Sequence, residues 1–229
     1  PVFAETPPGF VFDFESFTKP VNFSSSVGLL LAITSISLVP FLLISTTSFL
    51  RVVIVLSLLR QAIGSQQTPP NPVIVSLALF LTIFIMAPVW TQINTDAVIP
   101  YNAGQITQEE AIKEGIKPLR NFMLKATRKK DLALFIEFAK LKAFDRIEDV
   151  PTFVVIPAFV ISELKTAFQI SFLLFIPFLC IDIIVGNILL ALGMFMLSPV
   201  VISLPFKMLL FVLTDGWNLI IRGLILSFQ

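Results

Sequence analysis

The sequence predicts an all-α integral membrane protein carrying one large polar insert, and three observations carry that class. Hydrophobic side chains make up 56% of the 229 residues, against about 45–50% in a soluble domain even when glycine is counted. Several runs of about 20 residues are nearly free of charge, the length a helix needs to cross a bilayer. Charge is also segregated: 19 of the 31 charged residues, ten basic and nine acidic, lie between 91 and 150. Mean hydropathy is +0.92.

The same composition excludes whole classes of function. Histidine is absent, which removes the usual general base, the Ser-His-Asp arrangement and the commonest zinc ligand. No enzyme, metal site or cofactor is expected. The single cysteine, Cys180, lies in an apolar run and reads as an inert buried thiol. A net charge of +1 offers nothing to nucleic acid.

In chain order, residues 1–26 are rich in Pro, Phe and Ser and read as an extracytoplasmic lead-in with little regular structure. Val2-Phe3-Ala4 suits the small-residue end of a secretory signal, and Ser24 to Ser26 suit a helix N-cap. Residues 27–90 hold the first pair of apolar segments. The first, 27–44, is interrupted by Pro40, and 46–63 continues it with Arg51 and Arg60. Nine residues turn a helix by about 900°, so these arginines sit on opposite faces. The run 64–72, GSQQTPPNP, is a turn, and 73–90 is a second apolar segment without charge.

The insert, 91–150, opens a helix at Thr107-Gln108-Glu109-Glu110 with a capping-box pattern. Leu119, Phe122, Met123, Ala126 and Ala133 recur at three- and four-residue steps, predicting one amphipathic helix over 117–141. Arg128-Lys129-Lys130 is either a lipid headgroup patch or a solvated helix face beside Asp131. Residues 151–229 hold the second apolar pair: one segment to about Leu192, a break at 193–199 and a last segment over 200–228. Bias of Lys and Arg in short loops puts Arg51 and Arg60 on the cytoplasmic side, with the N-terminus and the insert outside.

Ionisable groups inside apolar segments are costly and face protein or water. Here they are Glu163, Lys165, Asp182, Lys207, Asp215 and Arg222. On one continuous helix Asp215 and Arg222 lie about 20° from eclipsed, with Lys207 within about 80° of both. Glu163 and Lys165, two apart, point to nearly opposite faces, so Glu163 needs a partner from elsewhere, and Lys207 is an attractive one. The charges form either an ion relay or a set of pairs fixing register between helices or subunits. The second is favoured, because no chain of acids with transporter-like spacing appears.

The break GMFMLSP is bracketed by Gly193 and Pro199, which lift it out of helical geometry. Met194, Phe195 and Met196 are either core at a hairpin tip or an apolar barrier in a pore, since projecting apolar side chains exclude water.

Three stretches now carry a resemblance: FLRVVIVLSLLRQAIGSQQTPPNPVIVSLALFLTIFIMAPVW, KPLRNFML with RKKDLALF, and the long run from PAFVISELKTAFQ through GMFMLSP to LPFK and DGW. With them the chain resembles the FliP family of the flagellar type III export gate and its virulence-secretion counterparts over most of residues 49–228. The resemblance implies long helical hairpins that assemble as a ring or helical pore of five copies with FliQ- and FliR-type subunits. Other type III export proteins, exported flagellar proteins as cargo and membrane lipid complete the implied partners. The implied place is the bacterial inner membrane and its periplasmic side, at the flagellar basal body. It also implies a pore seal at Met194, Phe195 and Met196, with Phe195 in place of a central methionine and Ser198-Pro199 where two prolines are common. Glu163 and Lys207 match charged positions that pair between neighbouring copies. The competing expectations are an ion-coupled secondary transporter using Glu163, Asp182 or Asp215, and a non-conducting membrane scaffold.

Overall fold

The computed structural model describes residues 20–65, 68–139 and 149–228. The lead-in over 1–19, with its signal-like Val2-Phe3-Ala4, and part of the insert, 140–148, lie outside the described residues. Among the described residues all regular structure is helical.

Helix α1 (Pro20–Thr46) starts before the expected boundary at 27. A proline at the first helical position has no N–H to leave unsatisfied, and Ser24 to Ser26 fall inside the helix instead of capping it. The chain up to Leu42 forms one unit and the rest from Leu43 a second.

The second unit begins with a hairpin of α2 (Phe49–Ile63) and α3 (Asn71–Ile93). Gly64 ends α2 at φ 88°, a left-handed conformation that favours glycine. Arg60 closes the turn by donating to the Pro69 carbonyl at 3.1 Å and to Asn71 Oδ1 at 2.7 Å. Val52, Val55, Leu56 and Leu59 of α2 face Ile74, Ala78 and Leu81 of α3 in the main core.

The expected boundary at residue 90 is not a structural one. Helix runs on through a π turn (Asn94–Val98) and α4 (Ile99–Asn102), giving one 32-residue stretch from Asn71 to Asn102. The polarity of the sequence changes there but the helix continues, its ladder widening to the π turn, while the Thr91 and Thr95 hydroxyls bond back to carbonyls four residues earlier.

The amphipathic pattern over 117–141 resolves into two helices, α5 (Gln108–Ala126) and α6 (Lys129–Phe138). Thr127 and Arg128 are extended between them, and the Arg128 N–H donates to Ser162 Oγ at 3.0 Å. A tertiary acceptor thus takes the N–H at the break. Met123 and Leu132 pack with Val154, Val155, Ala158 and Phe159 in a second core.

Those last four residues belong to α7 (Thr152–Ala191), 40 residues long. At 1.5 Å per residue it spans about 60 Å, twice the hydrocarbon core of a bilayer. Its early turns hold the second core, and further on Ala167 and Phe178 join the main core. The expected single last segment is instead α8 (Pro199–Leu213) and α9 (Gly216–Leu226), bent by 64°. Asp215 sits at φ 50° between them, and the Phe211 ring occupies the space a side chain at Gly216 would need, 2.3 Å from a Cβ built there.

Two stretches, Asn71–Asn102 and Thr152–Ala191, are long and apolar enough to cross a membrane, or up to four if each bent pair counts as one. The chain is an all-α, membrane-spanning protein.

Candidate functional site

Helices α7 and α8 form a hairpin whose tip is the expected break. The Gly193 N–H donates to Leu190 O at 3.1 Å and the Met194 N–H to Leu189 O at 2.9 Å, closing the end of α7. Gly193 takes φ 72°, which a side chain resists. Pro199 opens α8 at its first turn, where a missing N–H costs nothing. Between them Met194, Phe195 and Met196 are 47%, 75% and 98% exposed. Three large apolar side chains therefore stand clear of their own chain.

The arms meet close to the tip. A Cβ on Gly186 of α7 would lie 3.7 Å from the Pro199 ring. Deeper in, Lys207 of α8 donates to Asp182 Oδ2 of α7 at 2.6 Å, and Ser203 Oγ donates to the other Asp182 oxygen. Lys207 is 3% exposed and also reaches the Ala62 carbonyl at 3.4 Å. That carbonyl lies in the last turn of α2, where a cation is favoured. Lys207 Nζ lies 3.8 Å from a Cβ built on Gly64, an ordinary contact, so the lysine packs against the turn after α2.

Glu163, 0% exposed, is held by Arg51 of α2 through two parallel bonds of 2.8 and 2.5 Å. The remaining arm of Arg51 donates to the Ser227 carbonyl at 2.9 Å and to its hydroxyl at 3.0 Å. Its guanidinium carbon lies 3.7 Å from the centre of the Phe228 ring, a cation–π contact. One arginine thus ties α2, α7 and the residues after α9.

A third cluster lies one turn away. Lys165 and Ser162 both donate to Asp131, which is 2% exposed. Burial alone would push the Asp131 carboxyl up. Hydrogen bonds from Lys165 and Ser162, with the charges of Lys165 and Arg128, more than offset this and hold it below the usual carboxylate range.

Within the chain Glu163 and Lys207 are not each other's partner: Arg51 holds Glu163, and Asp182 holds Lys207. Lys165 and Glu163 do leave α7 in different directions, as their spacing requires, toward α6 and α2. The polar stripe of Lys207, Asp215 and Arg222 does not exist, because the helix is broken at Asp215. Asp215 and Arg222 are exposed, and Asp215 serves the turn between α8 and α9. Asp131 and Arg51 are the partners that sequence reasoning missed. Cys180, expected to be buried, is instead exposed on α7, because an apolar run on a membrane-spanning helix need not face the protein core. Among the described residues no cluster of acids, cysteine or histidine could hold a metal.

Two apolar hairpins pinned by buried ion pairs, with a bare apolar tip, define a helical membrane protein whose internal charges fix helix register. Residues 32–224 match the FliP family. The chain is 52% identical over 213 residues to the flagellar biosynthetic protein FliP of Bacillus subtilis, covering 93% of this chain and 96% of that protein. It is 50% identical over 207 residues to the protein of the same name from Pectobacterium carotovorum, covering 90% and 80%. For the Aquifex aeolicus protein of that name identity is 48%, covering 100% and 94%. The chain belongs to the FliP family.

Proposed function

We propose that the chain is a subunit of the core export gate of the flagellar type III secretion apparatus, and that its α7–α8 tip seals the protein-conducting pore. The observation that carries this reading is the tip itself. Met194, Phe195 and Met196 stand exposed at the end of a hairpin whose arms are locked together below them by Asp182, Ser203 and Lys207. Apolar side chains brought together from several copies make a ring that excludes water, and a locked root holds such a ring in place. Five copies, with FliQ- and FliR-type subunits and the remaining export proteins, supply the ring, and exported flagellar proteins are its cargo. The inner membrane, with part of each hairpin on the periplasmic side, accommodates a helix about twice as long as the hydrocarbon is thick.

An ion-coupled transporter finds no support. Glu163 and Asp182 are committed to Arg51 and Lys207, and the curated relatives are named for flagellar biosynthesis. The decisive experiment replaces Met194, Phe195 and Met196 together by alanine and follows ion and small-solute leakage of membranes holding the assembled complex. Increased leakage is expected. Unchanged permeability in a complex shown to assemble would overturn the seal.

A further inference from the structure

One face of α7 carries a lengthwise gradient that neither the tip nor the ion pairs explain. Lys165, Gln169, Phe172, Ile176 and Leu179 follow one another at steps of four, three, four and three residues, which puts them on a single stripe. Down that stripe the chemistry passes from a cation to an amide and then to large, exposed apolar side chains.

From Gln169 onward the stripe borders an apolar groove of about 1020 Å³ between α2 and α7, lined by Leu58, Phe172, Phe175, Ile176 and Leu179 among others. The ten helical steps from Gln169 to Leu179 rise about 15 Å, the depth of one leaflet of hydrocarbon. At the polar end Gln169 Oε1 accepts from Arg128 at 2.5 Å, and Arg128 also donates to Thr166 Oγ1 at 3.0 Å. Among the described residues no carboxylate pairs with Arg128, and Lys129 and Lys130 beside it are exposed. The nearby acids are spent: Asp131 on Lys165 and Ser162, Glu163 on Arg51. Arg128, Lys129, Lys130 and Lys165 against Asp131 leave a surplus of three positive charges at the mouth of a leaflet-deep apolar slot.

We propose that this face binds an anionic diacyl phospholipid, its phosphate at Arg128, Lys129 and Lys130 and one acyl chain in the groove as far as Leu179. Charge complementarity selects this occupant. An apolar helix laid along the groove would bring its own greasy face against three lysine and arginine heads, and a zwitterionic lipid would add a further cation to them. Basic pockets beside membrane helices are a recognised setting for anionic headgroups. The inference rests on the membrane-spanning fold and not on the role of the tip.

The full chain, purified with its native partner subunits, is reconstituted into phosphatidylcholine vesicles holding a trace of phosphatidylglycerol with a photoreactive group near the end of one acyl chain. Labelling is expected between 172 and 179, with a phosphatidylcholine probe of the same design labelling weakly. Loss of each cation is expected to weaken labelling about fivefold, in Lys129→Gln with Lys130→Gln and in Arg128→Gln, while Arg128→Lys retains it. The two lysines are exposed, so their variant separates lipid binding from folding. Cys180, the only cysteine, lines the groove, and its alkylation is expected to slow in phosphatidylglycerol vesicles. Equal labelling by both headgroups, indifference to the lysine variant, or cross-links showing protein in the groove would each overturn the proposal.

Discussion

Arg51 and Glu163, 112 positions apart in sequence, meet in a two-pronged pair that leaves the carboxylate no exposed surface. Desolvating both charges is expensive, so the pair's net contribution is small beside the penalty for breaking it, about 3–5 kcal/mol when one partner is removed. Arg51→Ala or Glu163→Ala is expected to lower the stability of the purified protein by that order, read by denaturation in detergent. The exchange Arg51→Glu with Glu163→Arg should recover part of the loss, whereas Glu163→Lys with Lys207→Glu should recover none. Recovery by the second exchange would show that the two residues pair between copies.

The bend between α8 and α9 should be intolerant of a single methyl group. Gly216→Ala drives a Cβ to 2.3 Å from a buried aromatic ring, which itself stacks edge-on against Trp217 at 5.3 Å. Overpacking of this kind costs about 1–3 kcal/mol. Gly64→Ala has ordinary space, 3.6 Å to Leu204, and its cost of about 1–2 kcal/mol comes from a positive φ. Denaturation midpoints of the two variants, with Gly223→Ala as a control in open space, check the ranking.

Acid should loosen the insert at Asp131. Its carboxyl is held below its ordinary value, so the stabilisation is full above the unfolded carboxylate pKa of about 3.9. It is lost as pH falls through the lower folded value. Asp131→Asn is expected to destabilise at neutral pH and to flatten the acid limb of the stability profile. A profile identical in shape to the wild type would remove Asp131 from that role.

Within the tip, Phe195 is the one aromatic side chain and is 75% exposed. Phe195→Ala is expected to raise membrane leakage more than Met194→Ala does, and Phe195→Met to raise it little, in conductance recordings of the reconstituted complex.

How much of this was legible depended on whether a property is local. The apolar runs, the turn at 64–72 and the capping box are local. Glu110 accepts from the Thr107 N–H at 2.9 Å, and Thr107 Oγ1 accepts from the Glu110 N–H at 3.3 Å. The opposite faces of Arg51 and Arg60 followed from helical pitch, and one is indeed buried on α7 while the other closes a turn. The break at Asp215-Gly216 had a signal, a turn dipeptide in an apolar run, that hydropathy outweighed. The Thr127–Arg128 break had none, because its cause is Ser162 on another helix. Glu163 and Lys207 were singled out correctly as charges needing partners, but no single-sequence pattern links either to its true one.

Pro177 stands inside α7 between its two anchored ends. Before it, Glu163 and Lys165 fasten the helix to α2 and α6, and after it Asp182 fastens the helix to α8. A proline there removes one rung of the backbone ladder and crowds the preceding turn. Beyond Pro177 the α7–α8 arm is still clamped to the body of the protein, by Phe178 in the main core and by Lys207 at the Ala62 carbonyl of α2. The missing rung is thus splinted by side chains on both sides, and the exposed tip is carried on a clamped root.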